Sequence, residues 1–165
     1  MAGIIVRDAR ANDADDLVAL RLEIVRDPLI TFTTVEPGRT QMLRDIANAS
    51  PKAPLIVAEK DGHILGAASW KQFRAGPGYR FTIEHSIHLF SASRGLGAGR
   101  VLMETLLKRA ADEGFCIMVA GISGGNELGY SFHRHFGFTE VGRMPNVGFK
   151  NNEWYDLILM QRSIR

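Results

Sequence analysis

The chain has 165 residues, 45% of them hydrophobic, enough for one well-buried core and too few for two. Its 20 basic and 18 acidic side chains leave a net charge of +2 without any block of like charges, which argues against a nucleic-acid or acidic-membrane partner. With one cysteine, Cys116, an internal disulfide is excluded, and no signal peptide, lipidation motif or apolar run of membrane-spanning length is visible, so a single cytoplasmic domain over 1–165 is expected.

The first strand is predicted over 4–7, followed by a helix over 14–26 that Asn12 or Asp13 can cap and whose apolar face is Leu17, Leu20, Ile24 and Val25. Asp27-Pro28 ends it. Residues 29–38 read as irregular and too polar for core, a segment placed to cover a pocket, and a second helix follows to 49. Apolar runs over 55–59 and 64–70, joined through Asp61-Gly62, read as a hairpin. After a bend over 73–79, a longer strand is predicted over 80–90. Phe81, Ile83, His85, Ile87 and Leu89 share one of its faces, and Arg80, Thr82, Glu84, Ser86 and His88 the other.

Arg94-Gly95-Leu96-Gly97-Ala98-Gly99 comes next, between this strand and a helix predicted over 97–113 with Gly114 as its stop. Such a loop leaves backbone N–H groups unpaired at a helix N-terminus, where the dipole favours an anion such as a diphosphate. Arg94 and Arg100 add positive charge at either end. A Walker loop would need Lys and then Ser or Thr after its last glycine, but Gly99 is followed by Arg100-Val101. A dinucleotide fingerprint would need G-x-G-x-x-G, and here the glycines stand at 95, 97 and 99. An ordinary strand-to-helix turn is the plain alternative. A buried strand over 115–122, with Cys116 as a core thiol, leads through a loop at 123–126 into a short helix ended by Phe136-Gly137-Phe138. Closing strands over 139–143 and 154–160 are predicted around Pro145-Asn146-Val147-Gly148, which completes a mixed α/β pattern.

With these elements in order, the chain resembles the GNAT superfamily of N-acetyltransferases. That family's acyl-CoA loop, Gln or Arg-x-x-Gly-x-Gly or Ala, is matched by Arg94-x-x-Gly97-x-Gly99, and its later signature by Asn126 and Gly137-Phe138. A narrower likeness runs through Phe73-Arg74, Tyr79-Arg80, Thr82-Ile83-Glu84-His85-Ser86-Ile87 and Met144-Pro145-Asn146-Val147-Gly148, which are similar to the phosphinothricin and methionine sulfoximine N-acetyltransferases. Members of that subgroup commonly have Tyr where His88 stands and Ser where Gly129 stands. The resemblance implies a mostly antiparallel sheet flanked by helices, with strands splayed at an acyl-CoA cleft. It implies acetyl-CoA as cosubstrate, no metal, a small amino-acid-like acceptor and a homodimer in which the tail around Val147 reaches a neighbouring subunit's pocket.

Acetyl transfer to an α-amine needs a base, because the amine is mostly protonated at pH 7. Glu84 is the candidate, directly or through a water, with an ion pair to Arg80 as its structural alternative. The resemblance implies that Ile87, His88 and Leu89 pair with the pantetheine arm as an added strand, with the Leu89 N–H polarising the thioester carbonyl. It also implies cofactor contacts from Arg94, Gly95, Leu96, Gly97, Ala98, Gly99, Arg100 and Asn126. His133 stands where many members carry the Tyr acid that meets the thiolate, and imidazole can take that role near neutral pH, unless it is a helix-surface residue. Arg74 and Arg80 are candidates to grip a substrate carboxylate, and Phe32 to wall the acceptor side chain or to serve as core.

The histidines lack paired zinc spacing, and Ser86 and Ser131 have no evident triad partners. Trp70 and Trp154 read as core or interface. Two other functions fit the same residues: a peptide or protein N-terminal acetyltransferase, and a non-catalytic acyl-CoA-binding regulatory module.

Overall fold

Apolar residues at every second position build a seven-stranded sheet in the computed structural model, which describes residues 3–165. The strands are β1 (Ile5–Asp8), β2 (Leu55–Lys60), β3 (His63–Gln72), β4 (Thr82–Leu89), β5 (Ile117–Ser123), β6 (Thr139–Lys150) and β7 (Glu153–Ser163), ordered β1-β2-β3-β4-β5-β7-β6. All neighbours run antiparallel except β4 and β5, which run parallel. The fold is therefore the mixed, mostly antiparallel α/β sheet that the sequence led us to expect.

Helices α1 (Ala14–Arg26) and α2 (Arg39–Ala47) cover one face, while α3 (Ala98–Asp112) and α4 (Glu127–His135) belong to the other. Strand β2 shows the division: Val57 packs with Leu17, Leu20 and Met42, whereas Ile56 and Ala58 pack with Leu102, Met103 and Leu106. The three α3 side chains are fully buried, and each contributes about 1.5–3 kcal/mol of apolar burial.

Several predicted boundaries move for identifiable reasons. Strand β4 begins at Thr82 because Pro77–Tyr79 forms a 3-10 turn, and Phe81 is left exposed. The closing strands are far longer than predicted, and Pro145-Asn146-Val147-Gly148 is not the turn between them. It is an irregularity inside β6, where the pairing jumps from Met144↔Leu157 to Gly148↔Tyr155. A proline is tolerated there because β6 is an edge strand. The true turn is Asn151-Asn152, both at positive φ (52° and 64°), a conformation asparagine adopts more readily than other side chains. Cys116 is only half-buried, not a core thiol, since β5 starts one residue later. Trp70 is core, with its indole N–H donating to the Lys52 carbonyl at 2.9 Å, whereas Trp154 is exposed on β7.

Candidate active site

Parallel pairing between β4 and β5 lasts for three residue pairs, Thr82↔Ile117, Ile83↔Met118 and Glu84↔Val119, and then the strands part. Beyond that point the inner edge of β4 has no strand beside it. Phe90 N–H bonds across to Leu65 O on β3, so by the alternation of a strand the N–H groups of Ile87 and Leu89 point the other way, into the gap. A cavity of about 550 Å³ fills the split, lined by Ile87, His88 and Leu89 from β4 and by Ala120, Gly121 and Ile122 from β5.

One end of this cleft is closed by the glycine loop. Gly97 caps α3 with φ 91°, and Gly95 has φ 80°, so both need the freedom of glycine. Among the described residues, the only backbone carbonyl reached from the amides of 95–100 is Ser93 O, by Leu96 N–H at 3.4 Å. The amides of Ala98, Gly99 and Arg100 form the first turn of α3 and are free for an anion. Arg94 and Gly99 line the cleft itself, while Arg100 sits outside it with Nη2 3.4 Å from His135 Nε2.

The other wall is α4, and a side-chain cap sets its position. Asn126 Oδ1 accepts from Gly129 N–H at 2.9 Å, which fixes the helix start. Asn126 and His133 both line the cleft. His133 is not a helix-surface residue: it is 7% exposed, with Phe132 and Phe138 against its ring. Its Nδ1 lies 2.6 Å from Gly129 O, and its Nε2 lies 3.0 Å from Nε2 of His85. His85 Nδ1 lies 3.0 Å from Val119 O, directly at the point where β4 and β5 separate. Burial pushes both imidazoles down from the ordinary histidine range, His85 to about 3, and pushes His88 down to about 4.

Glu84 stands at the last β4–β5 pair. Its Oε1 lies over Gly121, where a Cβ would come within 3.3 Å of it, so glycine leaves the carboxylate room beside the cleft. The partner of Glu84 is Lys71 on β3 at 3.7 Å, not Arg80. Arg80 instead donates to Pro77 O at 3.1 Å and lies over the Phe81 ring, because the 3-10 turn removes it from the strand. Arg74 is exposed at the end of β3 with its guanidinium over Phe73. Neither arginine lines the cleft. Phe32 is placed against β6 and β7, on Gly148 and stacked with Tyr155 at 6.1 Å, while Leu29 and Ile30 of the same segment reach the cleft.

Three features escaped the sequence reading. Leu29 and Ile30 were unreadable because an irregular segment has no periodicity to orient it. Lys150 is 2% exposed and donates to Asp27 O and Thr31 O, tying that segment to β6, and a lysine beside a turn carries no sign of such burial. Burial lowers its pKa. The His85 partnership was accessible in part, since alternation already put His85 on the inner face. Among the described residues no group of three or more His, Cys, Asp or Glu is placed to hold a metal ion, and no helix is long and apolar enough to cross a membrane.

The family model for the acetyltransferase (GNAT) domain matches residues 6–159. The chain belongs to the GNAT family. This acetyltransferase is 35% identical over 162 residues to the L-methionine sulfoximine/L-methionine sulfone acetyltransferase of Pseudomonas paraeruginosa, covering 96% of this chain and 94% of that one. It is 34% identical to the phosphinothricin N-acetyltransferase of Alcaligenes faecalis, covering 96% and 82%. A solved GNAT superfamily phosphinothricin acetyltransferase from Sinorhizobium meliloti, in complex with acetyl-CoA, superposes with a TM-score of 0.91 at 32% identity, covering 98% of this chain and 89% of that one.

Proposed function

We propose that this acetyltransferase moves the acetyl group of acetyl-CoA to the α-amine of a small amino acid or analogue of the methionine sulfoximine, methionine sulfone or phosphinothricin type, by direct attack in a ternary complex. One observation carries the reading: an open β4 edge with inward N–H groups at Ile87 and Leu89, ending at a glycine loop with free helix amides. Such an edge suits the amide-bearing pantetheine arm, and the loop suits its diphosphate. Leu89 N–H is the donor we assign to the thioester carbonyl, where negative charge grows during attack.

Glu84 takes a proton from the acceptor ammonium, directly or through a water, from its station over Gly121. His133 supplies the proton that the departing thiolate needs. We retain Arg74, and less centrally Arg80, as cations that could meet the acceptor carboxylate at the β3–β4 connection, and Phe32 as an aromatic surface near Gly148. Exposed apolar side chains along β6 and β7, namely Val141, Met144, Val147, Phe149 and Trp154, support a homodimer built on that hairpin. A cytoplasmic location fits the unpaired cysteine.

The test is incubation with acetyl-CoA and separate panels of amino acids, their sulfone, sulfoximine and phosphinothricin analogues, and short peptides, with free thiol measured. Acetylated product from the analogue panel is expected. Turnover restricted to peptides, or acetyl-CoA binding without any turnover, would replace this reading by an N-terminal acetyltransferase or a regulatory binder respectively.

A further inference from the structure

At the base of the cleft two buried imidazoles meet, and their hydrogen bonds do not close for neutral rings. His133 Nδ1 faces Gly129 O at 2.6 Å, and His85 Nδ1 faces Val119 O at 3.0 Å. A carbonyl oxygen only accepts, so each Nδ1 must carry a hydrogen. The two Nε2 atoms are 3.0 Å apart, and that contact needs a third hydrogen. Two neutral imidazoles own two. Without a further proton, two lone pairs would face each other at hydrogen-bond distance between rings that are 5% and 7% exposed.

We infer that His85 and His133 hold a single proton jointly, between their Nε2 atoms, and that this is the proton the departing thiolate takes. The inference rests on the reading of His133 as the acid in acetyl transfer, and it adds His85 as the residue that orients and loads that acid. The step balances. As the carbon–sulfur bond breaks, its electron pair goes to sulfur, which takes the shared proton by way of His133 and leaves both rings neutral. The nitrogen gives up two protons as its bond to the acetyl carbon forms, one from the ammonium before attack and one as the tetrahedral intermediate collapses. Both pass through Glu84 to solvent, and one from solvent reloads the pair, so each turnover releases one proton.

Few charges bear on the two rings. On β4 itself His88 would oppose a proton on His85, and β5 offers only the Val119 carbonyl. From α4 comes the Gly129 carbonyl, while Phe138 packs on both rings at 5.4 and 5.3 Å. Arg94 and Glu127 lie along the same cleft, and Arg100 of α3 with His135 of α4 sits at an exposed site. Among the described residues no carboxylate bonds to either ring. Burial and the first proton's charge together keep a second proton off, which is why His85 is pushed so low. The one proton that remains has no anion to hold it and is readily given up.

The decisive measurement is long-range proton–nitrogen NMR on the whole protein with 15N-labelled histidine, titrated from about pH 5 to 9. Expected are protonated Nδ1 atoms on both rings and two Nε2 signals that move together in one titration step. Independent titration of the rings, or a fixed neutral tautomer with one Nε2–H throughout, would overturn the inference. This readout needs no acetyl-CoA, so it can fail while acetyl transfer stands, and absence of acetyl transfer leaves it interpretable. In parallel, His85→Gln should keep the KM for acetyl-CoA, lower kcat at least about tenfold and move the pH limb on which the acid loses its proton. A lowered kcat with an unmoved pH profile would mean that His85 is structural only and would reject the shared proton. If that variant does not fold, the NMR titration of the native protein decides alone.

Discussion

Replacing Gly97 by alanine should weaken coenzyme A binding although the methyl group itself touches nothing. Gly97 has φ 91°, and a Cβ built on it meets no atom within 4 Å, so the whole penalty is conformational. An L-residue held in the left-handed region loses about 1–2 kcal/mol. That strain is relieved if the loop swings out of the form in which its amides converge. Little prevents the swing, because Gly95, Leu96 and Gly97 are exposed and only two long bonds, Leu96 N–H to Ser93 O at 3.4 Å and Val101 N–H to Gly97 O at 3.3 Å, restrain them among the described residues. The cost therefore falls on binding, about 5–30-fold in Kd, with the melting temperature close to wild type. Gly62→Ala is the matched control: φ is 81°, space is again open, but the turn is clamped by the β2–β3 ladder through Lys60↔His63, so it cannot relax. There the same strain should lower Tm by about 2–8 °C and leave Kd alone. Isothermal calorimetry with coenzyme A and thermal melts of both variants separate the cases. If Gly97→Ala binds coenzyme A with the wild-type Kd, the glycine loop is not the anion site and the reasoning fails.

Glu84→Gln should lower kcat by about 10²–10⁴ with little change in KM, and unchanged turnover removes Glu84 as the base. Arg74→Ala should raise the acceptor KM about fivefold with kcat kept, and equal values for both enzymes would show that the carboxylate is held elsewhere. Asn126→Ala removes the α4 cap, which should cost about 1 kcal/mol in a urea titration, and a loss below about 0.3 kcal/mol would mean that the helix start is fixed by other contacts. His88 is held neutral to about pH 4 by burial, with Arg21 opposing its charge as well, whereas the unfolded chain protonates it near 6.5. Between those values the unfolded state binds more protons, so the stability that neutral His88 contributes is complete above about pH 6.5 and is lost as pH falls toward 4. Between pH 7.5 and 4.5 the wild type should lose roughly 2 kcal/mol more than His88→Gln, and parallel losses would show that His88 protonates in the fold.

The parts of the site that were legible in the sequence are those fixed by local chemistry. Glycines between a strand and an amphipathic helix announce unpaired amides, and they stand where the spacing put them, whereas Asn126, expected as a cofactor contact, also caps α4. Alternation along β4 assigned the faces correctly from Ile83 onward, so Glu84 and His85 point to opposite sides of the sheet as expected. What sequence could not supply was anything set by chain paths far apart. Arg80 left the strand because Pro77 began a 3-10 turn, and Arg74 sits past the end of the register. Lys150 reaches across 119 residues to Thr31, a contact with no local signal. The asparagine pair at 151–152 was the readable signal that was missed, since two residues tolerant of positive φ between long runs mark a hairpin turn better than Pro145 does.

The cleft exists because one pair of strands in an otherwise antiparallel sheet is parallel. Antiparallel neighbours can stay joined by a tight turn, but β4 and β5 are linked through α3, and the glycine loop that starts α3 must leave the end of β4 before the helix can return along the sheet. Pairing therefore survives only at the near end, and at the fork the carbonyl of Val119, the last β5 residue paired with β4, lies 3.0 Å from His85 Nδ1. That contact holds an imidazole at the floor of the cleft, within reach of His133. The geometry that opens room for a cosubstrate thus also delivers the group we assign to loading the acid, so a change that re-zipped β4 onto β5 would close the cavity and separate the histidines together.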